Sequence, residues 1–142
     1  MLRRNSGGRV FQARLAFGAW STLIAAATLP WTSFVGHTHW QKVQWIPFIS
    51  PPVRPFDILG NILLYVPFGY GFVRSSSRQV RAGRAVVIAG TLSLAIEWSQ
   101  LYSHARFPSL QDVVCNTVGA WLGASWAVRR SRATTAGGLP EA

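Results

Sequence analysis

Four long apolar windows constrain this chain more than any other feature. They cover residues 15–32, 58–73, 85–103 and 113–128, and Glu97 is the only charged residue inside them. A membrane-spanning helix needs about 17–25 residues, and the neighbouring Asp57 and Asp112 bring the two shorter windows to that length. A soluble bundle would need a polar outer face on most helices, which these windows do not offer. The windows therefore predict an all-α membrane protein with four transmembrane helices, at about 15–32, 57–73, 85–103 and 112–128.

The first window has a competing interpretation, a secretory signal. Basic residues precede it, and the three alanines at 25–27 are typical of a cleavage site. The apolar run nevertheless continues through Trp31, and tryptophan is typical of a membrane interface. We therefore expect an uncleaved helix.

The basic residues fall mainly on one side of these helices. Of the 14 Lys and Arg residues, only Lys42, Arg54 and Arg106 lie outside the segment before the first helix, the second-to-third loop and the segment after the fourth. The positive-inside rule then places both termini in the cytoplasm, as expected of a multi-pass membrane protein. Because the arginines are divided among short segments without a nucleic-acid-binding motif, the net charge of +10 does not indicate nucleic acid as a partner.

These windows divide the chain into three parts. Residues 1–14 form a basic cytoplasmic N-terminus, 15–130 the four-helix membrane domain, and 131–142 a small, polar tail that we expect to be disordered. Inside the domain, an outer loop covers 33–56 and a basic inner loop covers 74–84. The single cysteine, Cys115, lies in an apolar run and is expected to be a small core residue.

Three of the four acidic residues fall near the outer ends of the helices. Asp57 and Asp112 begin the second and fourth helices, and Glu97 lies toward the outer end of the third. Residues three or four positions apart share a helix face. This spacing gives three helices a small or polar stripe: Gly90, Ser93, Glu97, Gln100 and His104; Asp112, Asn116, Gly119 and Gly123; Asp57, Asn61 and Tyr65. We expect these stripes to surround a polar pocket that opens to the outer surface.

The acids differ in what burial would cost. A carboxylate at the centre of a membrane helix costs roughly 2.5–3.5 kcal/mol. Asp57 and Asp112 avoid this cost at the interface, where helix capping explains them as well as function does. Glu97 lies inside the span, where an acid usually marks a site; the alternatives are a buried pair with Arg106 or a hydrogen bond to Asn61 or Asn116. The predicted ligand-binding residues are Asp57, Asn61, Glu97, Gln100, Arg106, Asp112 and Asn116, with Glu97 the best candidate for any catalytic role.

Three weaker motifs complete the pattern. His37, His39 and His104 also fall on the outer side and could bind zinc together with an acid, but the spacing alone is poor evidence, so no metal site and no cofactor are predicted. Pro67 is expected to kink the second helix. Gly119 and Gly123 form a GxxxG motif that permits close helix contact, including a contact between two copies in a homo-oligomer.

Three stretches occur in the order N-x5-P-x-G, E-x2-Q and R-x5-D-x3-N-x2-G-x3-G. They are "NILLYVPFG" from Asn61, "EWSQ" from Glu97 and "RFPSLQDVVCNTVGAWLG" from Arg106. In this order they resemble the VanZ-like membrane proteins, over Asp57 to about Val128. The resemblance implies a four-helix protein of the bacterial cell envelope, whose family namesake is associated with low-level resistance to the glycopeptide teicoplanin. Its polar motif residues map onto Asn61, Glu97, Gln100, Arg106, Asp112 and Asn116. Many members carry a further acid where this chain has Ser109, which argues against a metal site built on paired carboxylates.

Four functions fit these observations. The first is binding of membrane lipids or a lipid-linked cell-wall intermediate, with Arg106 on a phosphate. The second is a membrane-surface enzyme that uses Glu97 as general acid or base. The third is a small proton- or ion-coupled transporter, which four helices could form only as an oligomer. The fourth is a scaffold whose polar stripes only hold helices together.

Overall fold

The computed structural model describes residues 6–49, 54–76 and 80–136. Within these ranges the chain forms four α-helices and one 3₁₀ turn at Trp40–Lys42, with no strand beyond two isolated bridges. The all-α prediction is therefore confirmed. The helices are α1 Ser6–Thr28, α2 Pro55–Ser75, α3 Ala82–Gln100 and α4 Leu110–Ala136.

The helix ends differ from the ends of the apolar windows. Helix α1 begins at Ser6, inside the basic segment, and ends at Thr28 because Pro30 disfavours a helical conformation at Leu29. Helix α4 continues to Ala136, so residues 131–136 are helical and not disordered as predicted. Arginine and alanine are strong helix formers, which explains why both helices extend beyond their apolar parts. The rest of the predicted tail, 137–142, lies outside the described residues.

Two helices of the described chain have the length and composition of a membrane span. They are α1, over Gly7–Thr28, and α2, over Pro55–Ser75. Helices α3 and α4 exist, but they contain more polar residues. The four-span topology and the cytoplasmic placement of both termini therefore stay predictions.

Helix α4 packs closely against α2, and glycines make this approach possible. A Cβ atom at Gly119 would overlap the carbonyl of Ile62, and one at Gly123 would overlap the carbonyl of Val66. Because the residue numbers rise along both helices from the first contact to the second, α2 and α4 run parallel. The GxxxG motif thus joins two helices of one chain, and its two glycines are buried. These glycines offer no exposed surface for the homo-oligomer contact that the sequence suggested.

Helix α1 packs on the other side of α2, near the proline. Helix α2 continues through Pro67, whose missing N–H leaves the carbonyl of Leu63 without its usual helical donor. The indole Nε1 of Trp20 donates to the adjacent carbonyl of Leu64 at 2.8 Å. This bond ties α1 to α2 above a core of Ile24, Tyr65, Phe68, Ala89, Ile96 and Ala120.

The outer loop is fixed against the end of α3 and the start of α4. The amide of Val35 donates to Tyr102 O at 2.8 Å, and the amide of His39 donates to Leu101 O at 2.9 Å. Gln44 exchanges two backbone bonds with the segment before α4, donating to Pro108 O at 2.8 Å and accepting from Leu110 N at 3.1 Å. The loop is thus part of the folded domain, and it forms one wall of the cavity described next.

Candidate functional site

A cavity of about 820 Å³ opens where α2 and α4 begin and α1 and α3 end. All seven residues that the sequence selected for ligand binding line it, together with residues that the sequence did not select. The predicted members are Asp57, Asn61, Glu97, Gln100, Arg106, Asp112 and Asn116; the polar additions are Thr28, Gln44, Arg54, Ser109 and Gln111. The structure thus brings the predicted residues together, and their role in binding stays a prediction.

Glu97 has a defined backbone partner in the cavity wall. Its side chain is only 7% exposed, and Oε2 accepts the amide N–H of Ser109 at 2.7 Å. Ser109 is the residue before α4, so this carboxylate holds the start of α4 against α3. The alternatives considered from sequence, a pair with Arg106 or a hydrogen bond to an asparagine, are not formed among the described residues. The other oxygen, Oε1, accepts no hydrogen bond from that part of the chain.

Two side chains connect the cavity to the end of α1. Arg106 is exposed, and its Nη2 donates to Ala27 O at 3.1 Å. Gln100 is buried, and its Nε2 donates to Thr28 O at 3.0 Å. These bonds leave carbonyls at the C-terminal end of α1 satisfied, which a helix end requires. They also hold the guanidinium of Arg106 at the cavity rim.

Arg54 is a second cation in the wall, and it was not among the ligand-binding residues predicted from the sequence. It immediately precedes Pro55, the first residue of α2. One sequence feature could have pointed to Arg54: it is one of only three basic residues on the predicted outer side of the membrane. The cavity therefore contains two arginines and three carboxylates.

Asp57 and Asp112 occupy equivalent places at the starts of their helices. Each is the third residue of its helix, in the first turn of α2 and α4. An anion there is stabilised by the helix dipole. Neither side chain makes a capping hydrogen bond within the described ranges, so capping in the strict sense does not account for them.

Two buried oxygen atoms in the wall have no hydrogen-bond partner among the described residues. Asn116 donates from Nδ2 to Ser93 Oγ at 2.8 Å, but its Oδ1 accepts no hydrogen bond from the described residues. The same holds for Ser109 Oγ, and each of these residues is 5% exposed. A buried polar group without a partner costs about 1–3 kcal/mol. A donor from a water molecule or a bound ligand would satisfy both.

His104 does not belong to this cavity. It was expected at the end of the α3 stripe, but α3 ends at Gln100 and His104 lies in the following turn. Its ring centroid is 4.5 Å from that of His39 and 5.3 Å from that of His37. Desolvation by its neighbours, followed by the charges of His39, His37 and Lys42, lowers the pKa of His104 below its usual range.

The fold and the cavity define a helical bundle with two membrane-length helices and a cavity of mixed charge at one end. A family model described as VanZ/LLP1 matches residues 11–130, and the chain belongs to this family. The match also includes most of α1, which lies before the stretch from Asp57 to about Val128 that carries the sequence resemblance. No curated protein and no solved structure matches the chain.

Proposed function

We propose that this VanZ-family protein spans the bacterial cytoplasmic membrane four times, with both termini in the cytoplasm. Its cavity binds a lipid headgroup or a lipid-linked cell-wall intermediate at the outer surface. The observation that carries the proposal is the convergence of all seven predicted polar residues, from three helices and one loop, on one cavity.

The exposed surface of the bundle supports membrane insertion of all four helices. Only 6% of the apolar window of α1 and 17% of that of α2 is buried, whereas the core helix of a soluble protein would be mostly buried. Helices α3 and α4 also expose large apolar side chains, which a bilayer would cover. They are Val87, Ile88, Leu94 and Trp98 on α3, and Val114, Val118, Trp121, Leu122 and Trp126 on α4.

The positions of the charges support the orientation. Arg14, in the N-terminal half of α1, donates to Ser75 O at the end of α2 at 3.1 Å, so the N-terminal half of α1 and the end of α2 lie on one side. Arg74, Arg129 and Arg130 lie on that side too, because α2 and α4 run parallel. The cavity is at the opposite end. The positive-inside rule then makes the cavity the outward-facing feature.

The cavity wall fits an amphiphile with a charged head. The guanidinium groups of Arg54 and Arg106 suit a phosphate, for which arginine is the preferred bidentate partner. The carboxylates of Asp57, Glu97 and Asp112 suit hydroxyl and ammonium groups. Phe56 lines the same cavity and is 85% exposed, so an acyl chain could leave along α2 into the bilayer. A volume of about 820 Å³ lies within the usual range of pockets for small molecules.

The test is lipid co-purification with Arg106→Gln. A hydrogen bond to a charged group contributes about 1.5–3 kcal/mol, so the amount of specifically retained lipid should fall roughly tenfold or more. Lys42→Gln is the matched control, because Lys42 lies on the same outer side but does not line the cavity. Mass spectrometry of the purified proteins measures the retained species. Equal retention by both variants would contradict the binding function.

One observation favours a second candidate, a membrane-surface enzyme. Glu97 is buried in the wall, and its Oε1 accepts no bond from the described residues, as expected of a general acid or base that meets its substrate. Glu97→Gln keeps an acceptor for the Ser109 amide. A changed lipid and glycan profile in cells with Glu97→Gln, while the purified variant still retains lipid, would support catalysis over binding alone.

The link to glycopeptide resistance depends on the ligand. If the bound species is a lipid-linked wall precursor, deletion of the gene and Arg106→Gln should alter teicoplanin susceptibility in the same direction. Lys42→Gln should leave it unchanged. If deletion changes the membrane lipids but not susceptibility, the ligand is a membrane lipid instead.

A further inference from the structure

A cluster of three histidines lies outside the polar cavity. One ring nitrogen from each of His37, His39 and His104 lies within 4.8 Å of the others. These are all the histidines of the chain. His39 is buried, whereas His37 and His104 are exposed.

The backbone holds these residues together across a long sequence separation. His37 and His39 belong to the outer loop, and His104 follows α3. The His39 amide donates to Leu101 O at 2.9 Å, and Ser33 Oγ shares a hydrogen bond of 2.7 Å with Ser103 Oγ. The ammonium of Lys42 donates to His104 O at 2.7 Å. The three Cα positions are therefore set by the fold before any ligand binds.

His39 already has the second contact that metal-binding histidines usually have. Its Nδ1 lies 3.1 Å from the carbonyl oxygen of Leu101. A carbonyl can only accept, so Nδ1 carries the proton and Nε2 presents its lone pair. A histidine that ligates a metal usually donates its other ring N–H to a carbonyl or carboxylate in this way, which fixes the tautomer and the ring orientation.

We propose that His37, His39 and His104 form a binding site for one divalent transition-metal ion such as Zn²⁺, with a fourth position open to water. Imidazole ligands suit zinc, copper and nickel, whereas magnesium and calcium prefer oxygen. The described acids, Asp57, Glu97 and Asp112, all line the separate cavity, so the ligands of the proposed site are the three imidazoles alone.

Binding requires only a small contraction of the cluster. With Zn–N distances of about 2.0–2.1 Å, tetrahedral geometry places two ligand nitrogens about 3.3 Å apart. The observed separations reach 4.8 Å, and the exposed rings of His37 and His104 are free to rotate inward around the fixed His39. The charge of Lys42 opposes a cation here, whereas its hydrogen bond to His104 O holds His104 in the cluster.

The experiment is a zinc titration of the full chain in detergent, purified with a tag that contains no histidine and treated with a chelator beforehand. Calorimetry should give one Zn²⁺ per chain, and Zn²⁺ should raise the thermal unfolding midpoint. Mg²⁺ should do neither. His37→Asn and His104→Asn should each weaken zinc binding at least tenfold.

Gln41→Ala is the matched control, an exposed polar residue in the same loop. It should bind zinc as the wild type does. His37 and His104 are chosen for substitution because they are exposed, so the metal-free variants should unfold at the wild-type temperature. No binding by the wild type, or wild-type zinc affinity in both histidine variants, would overturn the proposal and leave the cluster as packed aromatic rings. Because none of these residues lines the cavity, that outcome leaves the proposed lipid site unaffected.

Discussion

The close contact between α2 and α4 gives a sharp prediction for Gly123→Ala. Gly123 is buried, and an added Cβ would overlap the carbonyl oxygen of Val66 and lie 2.9 Å from the amide nitrogen of Tyr70. Both atoms belong to the backbone of α2. A side-chain tip could rotate out of the way, but a helix backbone cannot, so the two helices must separate.

The magnitude follows from two opposing terms. Forcing an extra methyl group into a packed interface costs about 1–3 kcal/mol. Replacing glycine by alanine in a helix interior contributes about 1 kcal/mol in the other direction. Because the overlap is with backbone, we expect a steric cost of about 3 kcal/mol. The gain of about 1 kcal/mol in helix propensity reduces this to a net destabilisation of about 2 kcal/mol. Gly18→Ala in α1 is the matched control, since nothing lies within 4 Å of its added Cβ. It should stabilise the protein by up to about 1 kcal/mol.

Tryptophan fluorescence can follow the unfolding of both variants in one assay, because the chain has seven tryptophans. In thermal or denaturant unfolding in detergent micelles, Gly123→Ala should have a lower midpoint than the wild type. Gly18→Ala should have the same midpoint as the wild type or a higher one. The test is whether the two substitutions change the unfolding midpoint in different directions. If Gly123→Ala proves as stable as Gly18→Ala, the α2–α4 contact is looser than described and the reasoning fails.

Four further substitutions, at three positions, are measured by the same unfolding assay. Glu97→Ala removes the acceptor of the buried Ser109 amide and should destabilise the protein by about 1–3 kcal/mol, whereas Glu97→Gln should cost much less because it keeps an acceptor. Trp20→Phe removes the hydrogen bond to Leu64 O and should lower the free energy of unfolding by about 1 kcal/mol. Phe68→Ala should cost about 3–5 kcal/mol, because the ring is 2% exposed in the core. A wild-type midpoint for Glu97→Ala, Trp20→Phe or Phe68→Ala would show that the corresponding contact does not form.

Hydropathy predicted the existence of the four helices but not their ends. An apolar window reports which part of a helix contacts apolar surroundings, and it does not report where helical hydrogen bonding stops. Residues 6–14 and 131–136 are rich in arginine, glycine, serine and alanine, yet they continue α1 and α4. The end of α1 was predictable from Pro30, a local signal. The end of α3 at Gln100 carried no such signal.

Helical periodicity predicted six of the polar residues that line the cavity, because these six lie on helix faces. Asp57 and Asn61, and likewise Asp112 and Asn116, are one turn apart and line it together. Periodicity could not find Gln44 or Arg54, because loop residues have no repeating face. Periodicity also wrongly predicted that His104 faces the polar cavity, because the helical spacing was extended four residues beyond the true end of α3. The histidine cluster depends on the pairing of the outer loop with residues 101–103, a long-range contact that no local pattern reveals.

The parallel pair of α2 and α4 presents the same two residue types in the same places. Asp57 and Asn61 are the third and seventh residues of α2, and Asp112 and Asn116 are the third and seventh of α4.

Their surroundings differ, because α3 covers the α4 side. Asp57 is exposed and Asn61 half-buried, whereas Asp112 is half-buried and Asn116 is buried and bonded to Ser93. We therefore propose that a ligand meets the α2 residues first, whereas the α4 residues also support the fold. We expect Asn61→Ala to reduce lipid retention with little change in unfolding midpoint. Asn116→Ala leaves the buried hydroxyl of Ser93 without its partner. It should therefore lower the free energy of unfolding by about 1–3 kcal/mol, and the midpoint should fall with it. Equal effects of the two substitutions on both measurements would show that the cavity has no such division.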